Sequence, residues 1–235
     1  MPENLLMPSV DLRVGALEEY NRRQKEKAAA RHRKPKPRPC LTLSREFGCE
    51  GYPVAELLRD IMMQETGDEW VLIDKAVLEE VARRHNISED ILGSLGEKNR
   101  ILDEVLATFS PRWTSEHDYF RMLCRHVVAL AEQGNVIIME LGGAIITRHI
   151  ENSYHFRIFA RSKFKTETIA RRMHIEVEAA EKLVAREQKR RDTFTRDFLD
   201  RDDHDQELYH LLFNNGRNSA EKISRTIARY VNDQA

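Results

Sequence analysis

The sequence predicts a three-layer α/β fold in which a five-stranded parallel sheet lies between helices. Short apolar runs alternate with longer segments whose apolar residues recur at helical spacing. Alternation of this kind implies right-handed crossovers, and hence parallel strands. The runs predicted as strands are Cys40–Leu43, Trp70–Ile73, Val136–Met139, Tyr154–Ala160 and Leu208–Phe213.

The composition is that of a soluble protein with one domain. The chain has 235 residues, of which 41% are hydrophobic and 33% are charged, with a net charge of −1. This length is enough for a sizeable core, and the charge gives no general attraction to nucleic acid or anionic membranes. No apolar run approaches the ~20 residues of a membrane-spanning helix, and no signal peptide is evident. Cys40, Cys49 and Cys124 are odd in number and widely spaced, which favours the reducing cytoplasm over a disulfide framework or a zinc site.

The first predicted strand leads into the polar turn SREFGCEG and then into a helix from Val54. Gly48 and Gly51 lie in the turn, and Pro53 suits a first helical turn. A strand, glycine turn and helix in this order can point backbone N–H groups and a positive helix end at a phosphate. A turn that binds nothing would show the same pattern. The phosphate-loop motif GxxxxGK[ST] is not matched, because Tyr52 stands at its lysine position and Pro53 at its hydroxyl position.

Further helices are predicted between and after the strands. Residues 86–133 are helical in pattern, with breaks at Gly93, Gly96 and Pro111. Gly142 and Gly143 follow the third strand, where backbone can approach a ligand or a helix can pack closely. The other predicted helices start at Asp74 or cover residues 144–149, Arg161–Met173, Glu176–Asp203 and Ala220–Val231.

Residues 1–39 are predicted to form an extension separate from the core. A weakly amphipathic helix is expected over about Asp11–Ala30, and the prolines of RHRKPKPRP favour an extended segment after it. This basic arm could bind a polyanion such as nucleic acid, or a protein partner. The alternative is a leader that only keeps the start of the domain soluble.

Several motifs, taken in order, resemble the cytidylate kinase-like family, a branch of the nucleoside monophosphate kinases. They are SREFGCEGYPVAELL, LIDKAVLEEVA, NVIIMELGG, YHFRIFA, EVEAAEKLVAREQKRRDTF and LYHLLFNNGR. The resemblance extends from about Cys40 to about Val231. It implies a domain over residues 40–235, with a helical acceptor-binding region at about 74–133 and a helical lid at about 176–203. Family members usually carry a Gly-Arg pair after the third strand, where this chain has Glu140 and Leu141.

The resemblance also implies ligands and roles: ATP and Mg²⁺ as cofactors, and CMP or dCMP as the substrate. The residues implied for the donor nucleotide are Ser44, Arg45, Glu46, Phe47, Gly48, Cys49, Glu50, Gly51, Tyr52 and Arg217. Those implied for the acceptor are Asp74, Lys75, Arg100, Gly142, Gly143 and Arg161, and either Asp74 or Glu46 could help to hold Mg²⁺. The lid would supply Arg186, Arg190 and Arg191, because guanidinium groups stabilise charge on a transferring phosphoryl group.

Each role has a plainer alternative. Asp74 could be only a helix cap, and Cys49 an inert residue that fills the turn. The arginines of the lid could belong to a solvated helix with pairs such as Glu187–Arg191. For the whole chain, the rivals to a kinase are a nucleotide-binding protein without turnover and a partner-binding protein that works through its arm. A homodimer is compatible with the sequence.

Overall fold

The computed structural model describes residues 7–29, 38–83, 115–140 and 142–234. At its centre is a five-stranded parallel sheet with the strand order β2-β3-β1-β4-β5. The strands are β1 (Cys40–Arg45), β2 (Val71–Ile73), β3 (Val136–Met139), β4 (Ser153–Phe159) and β5 (Leu211–Asn214). The predicted α/β class and the parallel sheet are confirmed.

The helices of the described residues connect and cover these strands. They are α1 (Val10–Ala29), α2 (Gly51–Thr66), α3 (Lys75–Arg83), α4 (Ser115–Gln133), α5 (Gly143–Ile146), α6 (Ser162–Met173), α7 (Val177–Leu199) and α8 (Ala220–Asn232). The helices predicted within 86–109 lie outside the described residues. Every helix of the described part is too short or too polar to cross a membrane.

The start of the last strand differs from its prediction over Leu208–Phe213. Residues Gln206–Leu208 form a 3₁₀ turn instead, and the strand begins at Leu211. The Asp205 side chain accepts a hydrogen bond from the amide of Glu207 and so caps the turn. Local capping by a carboxylate competes with strand pairing at this point.

Alternating side chains of the sheet feed two apolar layers. On one face, Leu41 and Leu43 of β1 pack with α2 and α8. On the other, Val136 and Ile138 of β3 pack with α1, α3 and α4. The result is the three-layer arrangement predicted from the sequence, with both faces of the sheet covered.

Helix α1 is part of this core, which corrects the expectation that residues 1–39 stand apart from it. Val14, Leu17 and Tyr20 are buried in the apolar cluster on this face, where α1 packs against α3 and β2. The Tyr20 hydroxyl donates to the carbonyl of Gly134, and Arg13 pairs with Asp74. The apolar stripe of α1 is narrow, and a narrow stripe does not indicate from the sequence that the helix packs against the core. Most of the basic stretch that follows lies outside the described residues.

Two histidines contact each other where β4 meets the start of β5, and one of them, His155, is buried. The Nδ1 atom of His155 lies 2.9 Å from the Thr42 hydroxyl, and the His155 amide donates to Nδ1 of His210 at 2.9 Å. Burial, with a smaller contribution from His210, lowers the pKa of His155 to about 3. His155 is therefore neutral at neutral pH and acts as a structural hydrogen-bonding group.

The burial of α1 predicts that two leucines of the same helix differ sharply in their importance. Leu17→Ala should lower the free energy of unfolding by about 2–5 kcal/mol, because Leu17 is fully buried. Leu12→Ala should change it by no more than about 0.5 kcal/mol, because Leu12 is 67% exposed. Urea denaturation of both variants measures this, and equal effects would show that α1 is not docked.

The buried histidine predicts a pH dependence of stability. Between pH about 6.5 and about 3, the unfolded chain binds a proton at this position that the folded chain does not, so stability falls as the pH falls. From about pH 6.5 to about pH 4.5, His155 should account for a loss of roughly 2–3 kcal/mol. The pKa values of His210 and His126 are also lowered, chiefly by burial, so other groups add to the slope.

Urea denaturation at both pH values measures this loss. In His155→Gln, the loss of unfolding free energy between the two pH values should be smaller by roughly 2–3 kcal/mol. Replacement of the exposed His149 should leave this loss as in the wild type. Parallel profiles for wild type and His155→Gln would contradict the assignment.

Candidate functional site

The candidate site lies at the carboxyl edge of the sheet, where ligands bind in open α/β folds. The turn after β1, the segment after β3 and the turn after β5 meet there. Helix α7 lies across this edge and contributes Gln188 and Arg191 to it. The strand order places β1 between β3 and β4, so its turn is central.

Two glycines let long basic side chains lie directly against the turn after β1. A Cβ atom on Gly51 would lie 2.0 Å from Cδ of Arg45. A Cβ atom on Gly48 would lie 2.8 Å from Cβ of Lys165, and the φ of Gly48 is +93°, which favours glycine. The glycines of the predicted phosphate turn therefore make room for the protein's own cations.

Two backbone amides of this turn donate to side-chain oxygens from distant elements. The Phe47 amide donates to Oε1 of Gln188, and the Glu50 amide donates to Oδ1 of Asn215, each at 2.8 Å. The amides of Gly48, Gly51 and Tyr52 have no acceptor among the described residues. Those three lie in the turn and at the start of α2, where unpaired N–H groups are suited to an anion.

Cations and carboxylates alternate around the turn. Lys165 on α6 is 2.7 Å from Glu46, and Arg172 of the same helix is 3.6 Å from Glu50. The Lys165 ammonium reaches the turn from α6, whereas a phosphate-loop motif would carry its lysine at position 52. An ammonium is thus present beside Glu46 of the turn, although the local motif lacks one.

A second ion pair lies deeper, on the sheet itself. Arg157 of β4 is buried and pairs with Asp203 at 2.5 Å. Asp203 also accepts hydrogen bonds from the Tyr209 hydroxyl at 2.6 Å and from Ser44 at 3.3 Å. Ser44, assigned to the donor site, therefore binds the segment that follows α7.

Glu140, directly after β3, receives two guanidinium groups on one carboxylate oxygen. Arg45 lies 3.0 Å from Oε1 and Arg191 lies 2.5 Å from the same atom. Burial raises the pKa of Glu140, but the two arginines outweigh it and leave that pKa below its ordinary value. The φ of Glu140 is +64°, a conformation that costs a residue with a Cβ atom about 1–2 kcal/mol.

The three arginines predicted for the lid occupy different faces of α7. Arg186 and Arg190, four residues apart, are both 73% exposed and pair with Glu187. Arg191 points inward, as Gln188 does three residues earlier. Helical geometry separates neighbouring positions by about a quarter turn, so only one of the adjacent arginines can reach the site in this arrangement.

The residues assigned to the acceptor are more dispersed. Asp74 caps α3 by accepting from the Val77 amide at 3.0 Å, and its other oxygen pairs with Arg13. Lys75 lies 5.1 Å from the ring centroid of Phe194 on α7. Arg161 at the start of α6 and Arg217 after β5 are exposed. Arg100 and Leu141 lie outside the described residues.

Gly142 and Gly143 serve close packing. A Cβ atom on Gly142 would lie 2.0 Å from Cδ1 of Leu199, at the end of α7. A Cβ atom on Gly143 would lie 3.4 Å from the Thr42 side chain. The close approach of Leu199 therefore depends on the missing side chain of Gly142, and ligand approach to the two glycines stays a prediction.

The described residues do not form a magnesium site on their own. Glu46 is paired with Lys165 and Asp74 with Arg13. No group of three or more His, Cys, Asp or Glu side chains within the described ranges could hold a metal ion. Mg²⁺ in nucleotide enzymes is held largely by substrate phosphates and water, with only one or two carboxylates.

Cys49 fits its plainer interpretation. Burial raises the pKa of its thiol to about 12, so the thiol stays protonated at neutral pH. It fills space in the turn and offers no nucleophile.

Sequence reasoning missed several side chains of this site. The inward direction of Gln188 could have been predicted, because Gln188 shares a helical face with Val184 and Thr195, which are both buried. No local signal marks Lys165, Arg157 or Asp203, since only the crossovers bring them to the turn.

Comparison with known proteins agrees with this architecture. A sequence model of the cytidylate kinase-like family matches residues 40–217 of this chain. The chain is also similar in structure to an uncharacterized protein from Eubacterium ventriosum ATCC 27560, with a TM-score of 0.64 and 17% sequence identity. That similarity covers 83% of this chain and 99% of the other, and at this identity it shows the fold alone. A search of curated proteins found no match.

The family match covers well over half of the chain, and it includes β1, the glycine turn, α7 and β5. Membership implies a function of nucleotide-kinase type, which uses a nucleotide and a divalent metal. The protein belongs to the cytidylate kinase-like family.

Proposed function

We propose that the protein transfers the terminal phosphoryl group of ATP to a nucleoside monophosphate, CMP or dCMP. One observation carries the proposal: Arg45, Arg191 and Lys165 converge on a glycine turn whose open amides begin α2. Convergent cations and amides at a helix start are suited to phosphate oxygens.

The donor phosphates would bind at the turn. The amides of Gly48, Gly51 and Tyr52 can donate to the β-phosphate, and the positive end of α2 favours its charge. Lys165 would supply the ammonium that Tyr52 cannot. It reaches the turn from α6 and lies against Gly48.

In the transfer step, an oxygen of the acceptor phosphate forms a bond to the terminal phosphorus of ATP. The bond from that phosphorus to the bridging oxygen breaks, and ADP leaves. Arg45 and Arg191 would stabilise the charge that spreads over the transferred oxygens. The attacking oxygen is already anionic, so no strong general base is required. Arg186 and Arg190 could contribute only after α7 moves, because both are exposed in this arrangement.

The second candidate is nucleotide binding without turnover. It is supported by the contacts that the groups suited to phosphate already make within the protein. Glu140 pairs with two arginines, and Gln188 accepts a hydrogen bond from the Phe47 amide. The phosphate-loop lysine and hydroxyl are also replaced, by Tyr52 and Pro53. ATP binding with no transfer to any monophosphate would favour this candidate.

A coupled assay of ADP release, with a panel of nucleoside monophosphates, tests the kinase proposal. The wild type should turn over CMP or dCMP. Arg191→Gln should lower kcat/KM by about 10²–10³, because one charge-stabilising donor is lost. The control Arg225→Gln, at an exposed pair with Glu221 on α8, should stay within about twofold of the wild type.

Absence of turnover with every monophosphate would contradict the kinase proposal. A thermal shift with ATP and Mg²⁺ then decides the second candidate. Stabilisation would support binding without turnover, and no stabilisation would exclude both.

A further inference from the structure

We propose that Glu140 occupies a phosphate subsite between Arg45 and Arg191 in the ligand-free protein, so that a bound phosphate must displace its carboxylate. The inference rests on the proposed function and deepens it, since it names a residue of this chain that limits access to the phosphate site.

The two arginines already bind an anion in the way that a phosphate oxygen would be bound. Both guanidinium groups point at Oε1 of Glu140, at 3.0 Å from Arg45 and 2.5 Å from Arg191. Charge-assisted contacts of this kind are as well suited to phosphate as to carboxylate.

Both guanidinium groups are also fixed beside the glycine turn. The Arg45 side chain is 5% exposed and its stem lies against Gly51. The Arg191 guanidinium lies 5.3 Å from the ring centroid of Phe47, within the turn. The carboxylate therefore lies between two cations whose side chains contact residues of the glycine turn.

The backbone of Glu140 is held, whereas its side chain has a route out. Its amide donates to the carbonyl of Leu43 at 3.1 Å, and its carbonyl accepts from the Gly143 amide at 2.9 Å. The side chain is 31% exposed. Displacement by a phosphate thus requires only side-chain rotation into solvent and leaves β1 and β3 in place.

The conformation of Glu140 indicates what the position would otherwise accommodate. Its φ of +64° is one that glycine adopts freely and that other residues seldom adopt. Glycine at this position would leave the two arginines without this carboxylate. The side chain of Glu140 fills that place from within the protein.

Competition of this kind lowers the apparent affinity for phosphate, because only the fraction of molecules with a displaced carboxylate can bind.

Isothermal titration with pyrophosphate at constant ionic strength measures this apparent affinity. Glu140→Gln, which keeps the shape and removes the charge, should tighten pyrophosphate binding by about tenfold or more. Glu140→Gly, which removes the side chain, should do the same. The control Glu167→Gln alters net charge equally at an exposed pair with Lys163, and it should bind within about twofold of the wild type.

A double variant tests whether the arginines form the subsite. Arg191→Gln in the Glu140→Gln background should abolish the gain in pyrophosphate affinity. The inference is overturned if neither Glu140 variant binds pyrophosphate more tightly, or if the gain survives the loss of Arg191.

The outcome is separable from that of the proposed function. Tighter pyrophosphate binding without ATP turnover in any variant would uphold the subsite and contradict the kinase. ATP turnover by the wild type, with unchanged pyrophosphate affinity in both Glu140 variants, would uphold the kinase and overturn the subsite.

Discussion

The contact on which the site depends is the pairing of two guanidinium groups with a single oxygen of Glu140. Arg45 ends β1, Glu140 follows β3, and Arg191 belongs to α7, so this contact joins three separate segments. It is reinforced by Gln188 of α7 on the Phe47 amide. Farther along α7, Phe194 and Phe198 pack on Phe120 with ring centroids 5.2 and 5.0 Å apart, respectively.

Self-pairing explains how so many charges can lie at the edge of the sheet without a ligand. An unpaired, buried charge costs several kcal/mol, whereas a paired one is close to neutral in its net effect on stability. Lys165, Arg157 and Arg191 each have a carboxylate within 2.7 Å. A polyanion that binds here therefore replaces the carboxylates as the partner of these cations. The cations are charged and lie at the site before the ligand arrives. The same pairing is what a ligand has to overcome.

The sequence was sufficient for the architecture and insufficient for the direction of the side chains. Short apolar runs identified the strands and the parallel sheet, because these signals are local. The expectation for α1 failed, since its narrow stripe does not reveal the buried partners of Leu17. The helix of the proposed lid was predicted on the segment that forms α7, but which of its arginines faces inward depends on how α7 lies over the sheet. Lys165 could not be predicted at all, because only the β4–α6 crossover brings it to Gly48.

A crystal structure of the protein with ATP and CMP is the most direct test. The donor phosphates should bind to the amides of Gly48, Gly51 and Tyr52, with Arg45 and Arg191 turned from Glu140 to phosphate oxygens. Phosphates bound elsewhere, with the carboxylate of Glu140 still between the two arginines, would contradict this binding mode.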